Sequence, residues 1–495
     1  MKWLILILSL CACAPREESL PPQVEEPRSD IAAAPPSGVA YVWQDEALTW
    51  HAWEEVGAVI GRAERPLLFY VAGPGCEGLF AAPSSLLKEL VEKRYWGVRV
   101  DPFLWPDAVR YLRSSGCPSL VIARPDGQIV ARATDIPPRH VESYLLRILN
   151  AFDRAGDKIR SIGPAAEAPL AVDLADVRAS LLSAADPRHG GLFGPQKYVH
   201  GQALRFLWHY ASASDSAQSR SVVEKAVTAF LRSPLRDRSS GAFALYSYTP
   251  DWLQPVGDRD VLNQVETVQL LVDLGRHAPV DAWVRYVERE LLNPATGALR
   301  GRQVRLNDGR WWTDERLYAD RIASAVVALM RIAEQRDRAV STDTDIAEKA
   351  VDFLLAHCIG EEGEVRHACS AEGPQGLLVD QALVALALQA VQDRFEQPAV
   401  GDAMRRVVGF AESQLYAEEQ GTFSAGWRWP VAEDFSVADD GYPVGNALMA
   451  EWYYRQNDRS RAEALVERAR FLDGQYRVAA HWSLLQVAYG ESERQ

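Results

Sequence analysis

A glycine-bearing turn that returns five times restricts the fold of this chain more than any other feature. The segments are Asp186–Phe193 (DPRHGGLF), Asp237–Phe243 (DRSSGAF), Asn293–Leu299 (NPATGAL), Glu361–Val365 (EEGEV) and Glu418–Phe423 (EEQGTF). Their glycines, at 190, 241, 297, 363 and 421, lie 51, 56, 66 and 58 residues apart. Apolar stretches of helical period fill the intervals, among them Ala319–Glu334, Leu378–Arg394 and Asn446–Arg455. Two helices per interval, with a last pair over Arg459–Tyr489, predict about twelve helices in six hairpins. An all-α (α/α)6 toroid over residues 165–495 follows, in which each hairpin buries its apolar face only against its neighbours.

The region before the repeat has a different rhythm. Glu46–Ala63 reads as an amphipathic helix with Trp50, Trp53, Val56, Val59 and Ile60 on one face. Pro66–Val71 reads as a buried strand, Ser84–Arg94 as a helix, Gly97–Val100 as a short strand and Asp107–Ser114 as a helix. Pro118–Ala123 and Gln128–Ala133 flank the turn Pro125-Asp126-Gly127 as a hairpin, and His140–Phe152 closes the unit as a helix. This β-α-β-α-β-β-α order predicts an α/β domain of the thioredoxin-like class over residues 39–155.

The amino terminus reads as a leader rather than part of either domain. MKWLILILSLCAC has one lysine and an apolar run from Trp3 to Leu10, too short to cross a membrane as a helix. Leu10-Cys11-Ala12-Cys13 resembles a bacterial lipobox, which makes residues 1–13 a lipoprotein signal and Cys13 the lipidated residue; a plain secretion signal is the alternative. Ala14 rather than an aspartate after it resembles lipoproteins sorted to the outer membrane, facing the periplasm. Residues 14–38, rich in proline and glutamate, read as a flexible tether. The expected location is therefore the cell envelope, with the membrane reached through a lipid anchor.

That location bears on the sulfurs. Four cysteines remain outside the leader: Cys76, Cys117, Cys358 and Cys369. An even number in an oxidising compartment favours pairing. Cys358 and Cys369 flank a turn-rich excursion and read as a short-loop disulfide. Net charge is −14 with no Lys/Arg stripe, which argues against nucleic acid as a partner.

Together Trp50-x-x-Trp53, Arg65-Pro66, Cys76, Val100-Asp101, Pro118 and Pro125-Asp126-Gly127 resemble the thioredoxin-like domain of the spermatogenesis-associated thioredoxin-domain family, which couples such a domain to a helical toroid. Later motifs extend the resemblance. Asp186–Lys197 is similar to its D-x-x-x-G-G-F-G-x-x-P-K element, Leu377–Asp380 to its L-x-D-Y-A helix start, and Tyr442–Asn446 to its P-S-G-N. The family's C-H-W-C-H corner is here Cys76-Glu77-Gly78-Leu79-Phe80, without the second cysteine. Its W-x-x-P-H-F-E-K stretch survives only as Trp252–Pro255. The resemblance implies a cis proline at Pro118 and places Cys117 facing Cys76. A Cys76–Cys117 disulfide or reactive pair is one reading, two separate thiols the other. Catalysis requires a depressed thiol pKa, from a helix amino terminus or a cation, and Glu77 works against it; a structural bridge is favoured over turnover.

Toroids of this kind resemble six-hairpin glycoside hydrolases and N-acylglucosamine epimerases, so the expected ligand is carbohydrate-like, with a protein ligand as the other partner class. Hydrolysis requires two carboxylates across the bond. Asp251, Asp314, Glu315, Asp380, Asp439 and Asp440 are loop or helix-start carboxylates, and Trp252, Trp312 and Trp427 are loop rings suited to stacking on sugar faces. The ligand-binding candidates are Trp252, Trp312, Asp314, Asp380, Trp427 and Asp440. Each carboxylate also fits a helix cap or turn, and each ring fits packing of the long loops. His200 and His209 are nine apart, which is not zinc spacing; no metal and no cofactor is indicated. The function expected is a ligand-binding envelope protein, non-catalytic or weakly catalytic. A thiol–disulfide protein using Cys76 and Cys117, or a sugar hydrolase or epimerase, are the alternatives.

Overall fold

The computed structural model describes residues 47–114, 116–134, 136–162, 170–306, 308–336, 341–369, 373–426, 444–471 and 476–490. Cys13 with the leader and tether, and the candidates Trp427 and Asp440, lie outside the described residues.

The amino-terminal region builds a mixed four-stranded sheet of β1 (Leu67–Val71), β2 (Trp96–Val100), β3 (Ser119–Ala123) and β4 (Ile129–Thr134), in the spatial order β2-β1-β3-β4. The β1–β2 pair is parallel; β1–β3 and β3–β4 are antiparallel. Alternation along each strand feeds two apolar layers. Leu68, Tyr70, Leu120 and Ile122 pack with Leu87, Leu90, Val141 and Leu145 on one face. Leu67, Phe69, Val98 and Val121 pack with Trp53, Val56 and Leu112 on the other. The helices are α1 (Val56–Val59), α2 (Ser85–Glu89, continued as a π-turn to Arg94), α3 (Pro106–Tyr111) and α4 (Pro138–Ala155).

The helix expected over 46–63 shrinks to a 3₁₀ turn at Trp53–Glu55 followed by α1. The reason is a competing hydrogen-bond partner. The His51 amide donates to the Gly97 carbonyl at 2.9 Å and the Arg99 amide donates to the His51 carbonyl at 3.1 Å, so the chain before Trp53 runs along the free edge of β2.

Six helices form the inner ring of the toroid: α6 (Gly201–Ser214), α8 (Val261–Asp273), α10 (Ala319–Gln335), α12 (Leu378–Phe395), α14 (Gly445–Arg455) and α16 (Tyr476–Gly490). Each packs on the next, and α16 packs on α6, which closes the ring. Outside it lie α5 (Leu174–Ser183), α7 (Ala217–Arg232), α9 (His277–Tyr286), α11 (Thr342–His357), α13 (Pro398–Phe410) and α15 (Arg459–Arg468). The protein therefore contains an (α/α)6 toroid. Sequence separates the two layers: α7 buries one stripe (Ser219, Val223, Ala226, Val227, Phe230), whereas α12 is buried almost all round. A short strand, β5 (Leu170–Ala171), pairs with Arg470–Phe471 and ties the two ends of the ring together.

The repeated glycines mark where an outer helix hands over to a long connection. All five have positive φ, and at Gly241 and Gly363 an added Cβ would lie 2.2 and 2.1 Å from the carbonyl oxygens of Ala282 and Arg406 on the neighbouring outer helix. Only glycine accommodates that approach. The long connections gather at the amino-terminal ends of the inner helices. One carries a three-stranded antiparallel sheet of β6 (Asp258–Asp260), β7 (Arg302–Arg305) and β8 (Trp311–Thr313). The amino-terminal domain rests on this end.

Candidate functional site

Among the described residues, three places concentrate chemistry: the Cys76 corner, the polar layer beneath it and the centre of the ring. Cys76 and Cys117 form a disulfide, with Cα atoms 5.4 Å apart, and the Cys117–Pro118 peptide is cis. Both cysteines are half-buried. The next helix, α2, starts only at Ser85, so among the described residues its amino terminus does not reach Cys76 to depress a thiol. Cys358 and Cys369 form the second disulfide, with Cα atoms 4.5 Å apart.

The corner presses on the toroid. An added Cβ at Gly75 would sit 2.4 Å from Val304 on β7, and the Pro74 carbonyl accepts from Nη1 of Arg302 at 2.7 Å. The Arg302 side chain is fully buried. Its guanidinium lies 3.6 Å from the centre of the Phe103 ring and donates to both oxygens of Asp258, at 3.1 and 2.5 Å. Arg316 donates to both oxygens of Asp314, at 3.0 and 2.8 Å, and across to Asp101 of the sheet domain at 2.6 Å. Arg321 bridges Asp320 and Asp260.

His367 completes this layer. Its Nδ1 lies 3.0 Å from Asp380 and its Nε2 lies 2.9 Å from the Phe103 carbonyl. Burial opposes a charge on the ring, but Asp380 and Asp320 overcome it and carry the pKa up to about 9. The imidazolium therefore has both N–H groups engaged. Asp320, His367 and Asp380 bring three ligand-type atoms within 4.8 Å of one another. Arg321 already holds Asp320, however, and a metal bound at Nδ1 would have to displace the proton that His367 shares with Asp380.

The residues singled out in the sequence fall as follows. Asp314 and Asp380 are both 1% exposed and fully engaged with Arg316 and His367, which leaves neither free to work on a sugar. Trp252 is not an exposed platform. It is 2% exposed, its indole N–H donates to the His189 carbonyl at 2.9 Å, and its ring packs edge-on against Phe230. Beside it the buried Lys197 donates to Asp186 at 2.6 Å. Burial works against the Asp186 charge, but Lys197 and the amides of His189 and Arg188 hold its pKa down at about 2. The Asp186–Lys197 element is thus a clamp that secures the first long connection. Trp312 is half-buried on β8, opposite Val304.

The centre of the ring holds residues that the sequence reading passed over. A cavity of about 260 Å³ is lined from all six inner helices, among others by Arg205, Gln269, Arg331, Leu383, Glu451 and His481. Two arginines bracket one carboxylate: Nε of Arg205 donates to Asp273 at 2.8 Å, and Nη2 of Arg331 donates to its other oxygen. Arg205 also donates to Gln269 at 2.7 Å, and His209 lies 3.0 Å from Asp273. Glu451 accepts from Arg455 at 2.6 Å. Burial pushes the His481 pKa down to about 4 against the pull of Glu451, so the ring is neutral at pH 7. The side chains of Arg331 and His209 are 31% and 32% exposed, against 8% for Arg205. The cavity is thus reached from the carboxyl-terminal half of the ring, away from the sheet domain. A signal was present in the sequence: single charges inside otherwise apolar helical runs, such as Arg205 in ALRFL and Arg331 in ALMRIA.

No family model matches the chain, and no curated protein matches it. Solved structures similar to it include a D-mannose isomerase (10% identity, 59% of this chain and 82% of that one, TM-score 0.46). A GH76 α-mannanase from Bacteroides thetaiotaomicron shares 11% identity over 65% of this chain and 98% of its own, with a TM-score of 0.49. A cellobiose 2-epimerase from Bacillus thermoamylovorans shares 12% over 60% and 85%, with a TM-score of 0.42. The toroid is established by its own closed ring of helices rather than by these likenesses.

Proposed function

We propose that this chain is an exported, lipid-anchored protein of the cell envelope that binds a carbohydrate-like ligand in its toroid without efficient turnover, and that it is related to the spermatogenesis-associated thioredoxin-domain family. The strand order β2-β1-β3-β4, with one parallel and two antiparallel pairings, supports a thioredoxin-like reading of the amino-terminal domain. The observation that carries the functional reading is the axial cavity: about 260 Å³, mixed polar and apolar, reached from the end the sheet domain leaves open. Against turnover, Asp258, Asp260, Asp314, Asp320 and Asp380 at the covered end are all held by arginine or histidine. A carboxylate so engaged is a poor general acid or base.

Calorimetric titration with a panel of mono- and disaccharides tests this. Saturable binding without product formation is the expected result. Steady turnover of any member points to the hydrolase or epimerase alternative, and no binding to any member removes the reading.

A second reading rests on the half-buried disulfide at the corner. If Cys76 and Cys117 exchange with substrates, the chain reduces a test disulfide when supplied with a thiol donor, and Cys76→Ser abolishes that activity. The absence of a helix amino terminus at Cys76 favours a structural bridge.

A further inference from the structure

The charges that meet at the axial cavity do not balance. Arg205, Arg331 and Arg455 stand against Asp273 and Glu451. Asp273 serves two guanidiniums and Glu451 serves the third. The arginines are close enough to oppose one another: burial, Arg205 and Arg455 disfavour the charge on Arg331, and Asp273 and Glu451 only partly offset them. Asp393 lies near Arg455, with Glu334 beside Asp393, but both carboxylates are exposed, where water screens them. A surplus cation in a partly enclosed space calls for an anion.

The hydrogen-bond count points the same way. Among the described residues, Arg331 donates only through Nη2, so its Nε and Nη1 have no protein acceptor, and neither does Nη2 of Arg205. Both side chains line the cavity. Nε and Nη1 lie on opposite edges of the Arg331 guanidinium, and either one, with the second N–H of Nη2, makes the planar fork that a carboxylate fills bidentately. The rest of the wall suits a ring with hydroxyl groups: Gln269, Ser324 and Glu451 offer polar partners, and Leu262, Val265 and Val327 offer an apolar surface. The volume equals roughly nine waters at ~30 Å³ each, which is space for one monosaccharide.

We propose that the ligand of the axial cavity is an acidic monosaccharide, a uronic acid or close analogue, whose carboxylate is received by Arg331 and Arg205 while its hydroxyls meet Gln269, Ser324 and Glu451. This rests on the carbohydrate reading above and narrows it to a charge class. Phosphate-bearing sugars share the anionic chemistry, but a planar carboxylate fits the fork and the volume.

The test titrates the purified full chain with sodium D-galacturonate, D-galactose, galactose 6-phosphate and sodium acetate at pH 7 and low salt. Galacturonate is expected to bind at least tenfold more tightly than the other three. Arg331→Gln should weaken galacturonate at least tenfold with little change for galactose, while Arg331→Lys, which keeps the charge and its contact with Asp273, should weaken it less. Equal binding of galacturonate and galactose overturns the proposal and leaves the carbohydrate reading standing. Acetate as tight as galacturonate, or the 6-phosphate tighter, also overturns it. Absence of binding by every sugar, acidic and neutral, removes both. The comparison of wild-type affinities decides the matter even if Arg331→Gln does not fold.

Discussion

His367 donates a hydrogen bond to the carbonyl of Phe103, 264 residues away in the sequence, while its other ring nitrogen faces Asp380 at 3.0 Å. One protonated imidazole therefore ties the sheet domain to the ring beneath it. Arg321 and Asp320 flank it from α10, Tyr318 packs against its ring, and Asp107 faces it from α3.

This clasp gives stability a pH dependence. The His367 pKa rises from 6.5 to about 9 on folding, so its contribution is complete below about pH 6.5 and is lost as pH climbs through 9. Burial raises Asp107 to about 6, so that group titrates mostly below the window and adds only the end of its own fall near pH 6.5. Thermal melts from pH 6.5 to 9.5 should show a fall of several degrees. His367→Gln should start lower and follow a flatter profile; a wild-type curve with no slope in this range would contradict the clasp.

Arg302 supports the same junction through a different interaction. Replacing it with methionine strands the Pro74 carbonyl and leaves the half-buried Asp258 with no hydrogen-bonded cation, only the charge of Arg321 beyond. Burial already pushes the Asp258 carboxyl up, and Arg302 is the main force holding it down. The loss should cost about 3–5 kcal/mol, as breaking a buried pair does. Adding Asp258→Asn should recover part of it, measured by urea unfolding.

The two disulfides should differ in response and in weight. Cys358 is fully buried, whereas Cys76 and Cys117 are both half-buried, so dithiothreitol under native conditions should open the Cys76–Cys117 bridge first. Replacing Cys358 and Cys369 by serine removes a closed loop spanning 11 residues. On loop-closure grounds that should cost about 2–3 kcal/mol, and about 4 kcal/mol for the longer Cys76–Cys117 loop. Mass spectrometry after timed alkylation reads the first effect and denaturant midpoints the second.

Two glycines separate backbone strain from collision. Gly275 has φ +65° with open space around it, so Gly275→Ala should cost about 1 kcal/mol. Gly363 has φ +96°, and its added Cβ would lie 2.1 Å from the Arg406 carbonyl oxygen. Gly363→Ala should therefore cost several times as much, and equal melting temperatures for the two variants would show that the turns do not register the hairpins.

Local physics was legible in the chain. Each repeated glycine stands where backbone geometry admits little else, and the apolar period of Leu378–Arg394 or Asn446–Arg455 locates an inner helix to within a residue. Strands β1 and β3 were equally plain, because a short apolar run between turns has few other uses. The stretch 46–63 was over-read for the complementary reason: its helical pattern is real, but the edge of β2 offers His51 better partners.

The side-chain chemistry was decided by the tertiary structure. Arg316 meets Asp101 across 215 residues and Arg302 meets Pro74 across 228, and no periodicity links such pairs. Asp314, Asp380 and Trp252 read as available groups until folding supplied Arg316, His367 and the first long connection to engage them. Arg205, Asp273, Arg331 and Glu451 looked like isolated charges on four separate helices. Closing the ring brings them to one axis, and only there does an imbalance of charge become something a ligand can answer.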